Sequence, residues 1–213
     1  MERSNESIQS TFRFAVFASG EGTNASALFK HDNHSLIKLL VCDNEDALVI
    51  NKARSLGISV AIIPKEEGES RSSHEAKILS LLKVNGINWI LLAGYLRILS
   101  SEFISNFFDP LLSQNRIINI HPSLLPAYPG LRAYERAFEA GESESGVSVH
   151  FVSAGVDEGA IILQKSFARK SSDSLGEFIA RGKELEHQLY CQVFDQIILN
   201  NILSPVGDTL EKI

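Results

Sequence analysis

The chain has 213 residues, 44% of them hydrophobic, and a formal net charge of −6 at pH 7. That is enough chain to fold as a single domain burying about 70% of its unfolded surface, and the expected domain runs over the whole of 1–213. The acidic balance argues against a nucleic-acid backbone as principal partner, because neutralising phosphates takes a basic face, and no apolar run approaches the ~18–20 residues of a membrane span.

The opening MERSNESIQS is polar and carries two glutamates, unlike a secretory signal or a typical transit peptide. Residues 1–11 are therefore expected to be a flexible extension, and the protein to be cytoplasmic. From there short β-rich runs alternate with helical patterns. Strands are expected at 12–18, 36–42, 58–63, 89–93 and 116–121, and helices at 23–31, 45–56, 73–84 and 101–106. Asp43, Ser72 and Ser100 offer oxygens near three of the helix starts. Such alternation is the signature of βαβ units. After residue 130 the pattern changes to a short helix over 131–140 ending at Gly141, then two strands, 146–153 and 160–168, joined by a Gly-containing loop. Residues 174–200 read as a long amphipathic helix, with Phe178, Leu185, Leu189, Val193 and Ile197 on or near one face. The expected fold is α/β: a Rossmann-like open, mostly parallel sheet with an added antiparallel hairpin and a long C-terminal helix. Cys42 and Cys191 lack C-x-x-C spacing and read as reduced core residues. Trp89, Phe103, Phe107, Phe108 and Phe194 read as core.

In open parallel sheets ligands collect beyond the carboxyl ends of the strands, and two clusters fall there. Ser19-Gly-Glu-Gly-Thr-Asn24 follows the first strand and opens a helix, so its glycines let the backbone approach an anion at the positive end of the helix dipole. Gly20-x-Gly22-x-x-Ala25 satisfies a dinucleotide fingerprint, with Asp43 near the distance where an acid meets a ribose hydroxyl. A single phosphate is the alternative. The second cluster is Asn119-Ile-His-Pro-Ser-Leu-Leu-Pro126. Strand alternation sends Asn119 and His121 to one side and Ile118 and Ile120 to the other, and Pro122 and Pro126 stiffen the exit. Asp157, in the loop between the last two strands, is a candidate partner that would favour a protonated His121; spacing alone leaves it equally a turn residue. Ser148 and His150 share one face of their strand, where a satisfied sheet histidine is the default reading.

These pieces together resemble the folate-dependent, ATP-independent phosphoribosylglycinamide formyltransferases, from about residue 12 to 200. The resemblance rests on SGEGTN (19–24), LAGYLRILS (92–100), NIHPSLLPAYPG (119–130), GVSVHFV (146–152), the DEG of VDEG (156–159) and ELEHQLY (184–190), in that order. It implies transfer of a formyl group from the co-substrate 10-formyltetrahydrofolate to the amine of glycinamide ribonucleotide, without a metal. Asn119, His121 and Asp157 match the family's catalytic residues, and His150, where the family also carries histidine, would support them from the strand face it shares with Ser148. Gly20, Glu21, Gly22, Thr23 and Asn24 would hold the 5′-phosphate, and Lys183 and Glu186 the rest of the ribonucleotide. Leu96, Arg97, Ile98 and Leu99, with Asn119 and the backbone of Ala154, Gly155, Val156 and Asp157, would hold the folate.

Two positions depart from the family pattern. His74 stands where an arginine meeting the folate's glutamate tail is common, with Arg71 three residues earlier as a substitute, and Arg132 replaces a frequent histidine. Relatives that formylate methionyl-tRNA or hydrolyse formylfolate normally carry a further domain, which 213 acidic residues are not expected to accommodate. A dinucleotide-binding redox protein would explain Gly20, Gly22 and Asp43 but leaves Asn119, His121 and Asp157 without a task. The expected partners are small molecules only, with the chain a monomer or weak homodimer.

Overall fold

The computed structural model describes residues 12–199; the expected extension at 1–11 and the end of the last expected helix, at residue 200, lie outside them. The strands are β1 (Phe14–Ala18), β2 (Ile37–Cys42), β3 (Ser59–Ile62), β4 (Trp89–Leu92), β5 (Phe108–Asp109), β6 (Gln114–Asn115), β7 (Ile117–His121), β8 (Glu144–Phe151) and β9 (Ile161–Ala168). The helices are α1 (Thr23–His31), α2 (Val49–Ser55), α3 (Arg71–Val84), α4 (Ser101–Ser105), α5 (Ala133–Glu139) and α6 (Leu175–Ile198). Seven strands share a mostly parallel sheet in the order β3-β2-β1-β4-β7-β8-β9, which is the expected α/β architecture. The chain divides into two compact units, meeting in sequence between Ile118 and Asn119.

In the first unit β1 pairs in parallel with both β2 and β4, and β2 with β3. The sequence of β1, Phe-Ala-Val-Phe-Ala, is buried at every position, as a strand covered on both faces must be. Phe17 meets Tyr95 edge-on at 5.2 Å and Phe103 at 6.3 Å. Burying each such ring contributes about 1.5–3 kcal/mol, so this aromatic cluster helps to hold β1 against the segments that follow β4.

In the second unit β8 and β9 form the expected antiparallel hairpin. Its register slips at Val149/His150, where Val149 pairs with Leu163 but His150 with Ile161; such a bulge re-aims the neighbouring side chains. The apolar stripe of α6 is buried at Phe178, Leu185, Leu189, Val193, Phe194 and Ile197. Phe178 anchors it against Phe167, Phe138 and Tyr134, with ring centroids 5.1, 5.4 and 6.1 Å away. Ser174 and Glu177 cap its start reciprocally.

Several expectations are corrected. The helix expected at 45–56 begins at Val49, because Asn44 turns its side chain onto the Asp46 N–H at 3.1 Å and makes the next residues a turn. Asp43 therefore caps nothing. The cap of α3 is Ser70, which accepts the Ser73 N–H, and not Ser72. The helix expected from 131 starts at Ala133, since Arg132 adopts φ 57. Phe108 is 56% exposed; it opens a two-residue hairpin strand whose partner is β6. Cys191 is only half-buried, on the flank of α6, whereas Cys42 is core.

Candidate active site

The first unit carries the glycine turn and the expected folate segment. Gly22 ends the turn at φ 69, a left-handed conformation that favours glycine, and an added Cβ would lie 2.3 Å from the Val49 side chain. Both backbone and space therefore demand glycine there. At Gly20 a Cβ would meet nothing within 4 Å, so this residue keeps the approach open. The Gly20 carbonyl accepts from Val49 N at 3.2 Å and the Glu21 carbonyl from Lys52 Nζ at 2.8 Å. No side chain caps α1; its backbone N–H groups and dipole end are the polar chemistry beside Thr23 and Asn24, as an anion site requires.

Ser19 couples this turn to the segment after β4. Its N–H donates to Gly94 O at 3.1 Å, and its hydroxyl accepts from Leu96 N at 3.0 Å. Leu96–Leu99 then line a cavity of about 390 Å³ together with Lys65, Arg71, His74, Glu75 and Tyr95. Leu96 and Ile98 expose apolar side chains at its wall, while Leu99 is buried. Arg71 donates to Ile98 O at 2.5 Å, and the buried Glu75 accepts from Ser100 N at 2.8 Å and from the Ser100 hydroxyl. The ring of His74 is buried, its Nε2 2.9 Å from Ile63 O, so Arg71 is the accessible charge of the two. Arg97 Nε lies 2.7 Å from Asp43 Oδ2; the acid that the dinucleotide reading assigned to a ribose is engaged by an arginine.

The second unit assembles the other candidates around Asp157. Alternation along β7 puts Asn119 and His121 on one side, and both reach this carboxylate. His121 Nδ1 lies 3.2 Å from Asp157 Oδ2, and Asn119 Nδ2 donates to Oδ1 at 3.3 Å. Gly130 N–H donates to Oδ2 at 2.8 Å, and His150 Nε2 sits 3.5 Å from Oδ1 and 3.2 Å from Asn119 Nδ2. His150 is oriented through Nδ1, 2.9 Å from Phe151 O. Gly159 makes this corner possible, because a Cβ there would stand 1.6 Å from that same carbonyl.

Asp157 is held at about 2, below its ordinary value: burial pushes it up, but the His150 hydrogen bond, the Gly130 N–H and the charges of His121 and His150 outweigh burial. His121 shifts the opposite way from expectation. Burial pushes its pKa below the usual 6.5 and outweighs the Tyr128 carbonyl and Asp157, which raise it; the charges of His150 and Arg136 add to the lowering. Asp157 alone thus does not keep the imidazole charged.

Ser148 and His150 share a face but not a task. Ser148 Oγ donates to Ser123 O at 2.6 Å and accepts from Leu125 N at 3.1 Å and Gln164 Nε2 at 2.7 Å, pinning the segment after β7. Glu186, buried on α6, accepts from Tyr134 Oη at 2.8 Å; Lys183, one turn earlier, is half-buried. Val156 is exposed beside Ala154 and Gly155 in the loop leading to Asp157. Sequence reasoning missed Tyr128 and Gly130, whose contributions are a carbonyl 2.9 Å from His121 Nε2 and an amide. The Pro-Gly at 129–130 was the only signal that this backbone turns there. Among the described residues no group of three or more His, Cys, Asp or Glu is arranged to hold a metal ion.

A family profile described as formyl transferase matches residues 12–194. The phosphoribosylglycinamide formyltransferase of Bacillus subtilis (strain 168) is 40% identical over 195 residues, covering 89% of this chain and 96% of its own. That of Haemophilus influenzae is 36% identical over 182 residues, covering 84% and 83%. Among solved structures, glycinamide ribonucleotide transformylase 1 from Geobacillus kaustophilus superposes with a TM-score of 0.81 at 37% identity, covering 88% of this chain and 98% of that one. With a family match over most of its length and relatives this similar from end to end, the chain belongs to the formyl transferase family.

Proposed function

We propose that this protein is a phosphoribosylglycinamide formyltransferase, transferring the formyl group of 10-formyltetrahydrofolate to the primary amine of glycinamide ribonucleotide and giving formylglycinamide ribonucleotide in de novo purine biosynthesis. The convergence of Asn119, His121 and His150 on Asp157 carries the reading. Its support from relatives is that two proteins similar to it over most of their own length bear this name.

As the amine attacks the formyl carbon, the carbonyl oxygen becomes an alkoxide. The Asn119 amide and the His121 Nε2–H are the donors for it; the alkoxide, a stronger acceptor than the Tyr128 carbonyl, takes over that N–H. Donors of this kind are worth about 3–4 kcal/mol in the transition state. Asp157, ionised throughout the working range, stabilises the imidazolium and, through water, carries the proton from the attacking nitrogen toward the departing folate nitrogen.

The remaining assignments follow. Gly20–Asn24 and the start of α1 bind the 5′-phosphate, a monophosphate since Asp43 is occupied by Arg97. Glu186 and Lys183 hold the ribonucleotide, residues 96–99 and the backbone of 154–157 hold the folate, and Arg71 meets its glutamate tail. Both compact units serve one formyltransferase domain, a reading supported by the family match across 12–194. The protein acts in the cytoplasm on small molecules, not nucleic acid, as a monomer or weak homodimer; no helix among the described residues is long and apolar enough to cross a membrane.

The test is an ultraviolet assay for deformylated folate, run with and without glycinamide ribonucleotide. Release that depends on the acceptor is expected. Release without acceptor would mark a hydrolase, and no release in either arm would overturn the reading.

A further inference from the structure

The Pro129 carbonyl and the Gly130 N–H are two ends of one peptide group. Its N–H donates to Asp157 Oδ2 at 2.8 Å, and its carbonyl accepts from Arg136 Nη2 at 2.5 Å. Gly130, on the amide side of this peptide, adopts φ 75, a left-handed conformation that favours glycine. Turned over, the same peptide would present its carbonyl to the Asp157 carboxylate in place of its amide. The surrounding backbone does not secure this peptide unaided: Tyr128 at φ 53 and Arg132 at φ 57 occupy a left-handed region that non-glycine residues adopt only when neighbouring contacts hold them there.

Those contacts come from α5 and the residues after it. Arg136 is half-buried, and its guanidinium lies 5.7 Å from the centroid of the Tyr128 ring. The Tyr128 hydroxyl donates to Glu142 Oε1 at 2.6 Å. A cation on the carbonyl of a peptide also polarises its N–H, making it a better donor to an anion.

We propose that Arg136 is a positioning residue that fixes the Pro129–Gly130 peptide in the orientation that grips Asp157, and so keeps the carboxylate aimed at His121. It touches no substrate. The inference deepens the formyl-transfer reading and rests on it for its kinetic consequence, while its structural consequence can be read in the resting protein.

The test compares Arg136→Met, which keeps the packed stem without the donors, with Arg136→Lys, which restores one donor. In the Met variant kcat falls about tenfold with both KM values within about twofold, the pattern of a displaced reacting group. In the ¹⁵N-labelled protein without substrates, the Gly130 amide loses the downfield shift of a carboxylate hydrogen bond and exchanges with solvent about tenfold faster. Asp157→Asn marks where the shift moves when the anion is removed. The Lys variant recovers most of both effects. An unchanged Gly130 amide in Arg136→Met overturns the inference, as does an unchanged kcat. An unmodified protein inactive in the formyl-transfer assay defeats the functional reading instead, and the Gly130 amide still decides what Arg136 does.

Discussion

Asp157 Oδ2 lies 3.2 Å from His121 Nδ1 while His121 Nε2 faces Tyr128 O at 2.9 Å, so both ring nitrogens of a buried histidine face acceptors. That arrangement suits an imidazolium, yet burial pushes the His121 pKa below 6.5. The charged pair is complete only at pH values below this lowered pKa and above the value of about 2 held by Asp157; it loses the imidazolium as pH rises. Asp157→Asn removes one of the influences that raise the histidine. Its titration, followed through the ring proton resonances, is therefore expected at a still lower pH than in the unmodified protein. A rise instead would mean that Asp157 is not ionised beside the ring. Replacing His121 or Asn119 by alanine is expected to lower kcat by about 10²–10³ through loss of a donor to the alkoxide, with far-ultraviolet circular dichroism unchanged.

Gly159→Ala is expected to disable the site from outside it. The new methyl would sit 1.6 Å from Phe151 O, the atom that orients His150, so the β8–β9 loop must open at the base of the segment carrying Asp157. A loss of about 1–3 kcal/mol or more in urea unfolding is expected, together with loss of turnover. Gly155→Ala, in the same loop, is the contrast: the three atoms nearest its methyl all belong to the Glu158 side chain, from 2.0 Å, and that side chain can swing away. Equal stability losses in the two variants would show that the carbonyl contact is not what matters.

The parts of this molecule legible in its sequence are those that side chains encode. Phe14–Ala18 is apolar at every position because it is covered on both faces, and Asn119 and His121 meet one carboxylate because strands alternate. What stayed hidden was carried by backbone atoms or set by competition between similar residues. Ser70 and Ser72 are equally good caps on paper, and it is the Ser70 side chain that accepts the Ser73 N–H. The Tyr128 carbonyl and Gly130 amide leave no residue-type signature. The charge of His121 was misjudged for another reason: sequence supplied its acid partner but not the burial that outweighs it.

The Tyr134–Glu186 hydrogen bond of 2.8 Å depends on a glycine one turn before the glutamate. A Cβ at Gly182 would lie 2.3 Å from the Tyr134 ring, so the helix lacks a side chain there to admit the tyrosine. Gly182→Ala should displace the ring, cost about 1–3 kcal/mol of stability and raise the KM for glycinamide ribonucleotide with little effect on that for folate. Tyr134→Phe keeps the packing and removes only the hydroxyl, so a smaller loss, about 1 kcal/mol, is expected with the same selective rise in KM. A change confined to the folate KM would remove Glu186 from the ribonucleotide site.

Arg71 and His74, three residues apart on α3, are expected to separate cleanly. Arg71 reaches the cavity wall with a side chain 54% exposed, whereas His74 is buried against Ile63 O. Arg71→Ala should raise the KM for 10-formyltetrahydrofolate about three- to tenfold, the loss of a partly exposed charge contact of about 1 kcal/mol, and the effect should grow with the number of glutamates on the tail. Stability should change by less than about 0.5 kcal/mol. His74→Ala should do the reverse, destabilising the fold by about 1–3 kcal/mol through a cavity and the loss of the bond to the half-buried Ile63 carbonyl while leaving glutamate-tail preference unaltered. Urea unfolding and steady-state kinetics with mono- and polyglutamylated folate distinguish the two. A tail preference that shifts in His74→Ala and not in Arg71→Ala would reverse the assignment and require the imidazole to leave its buried seat when folate binds.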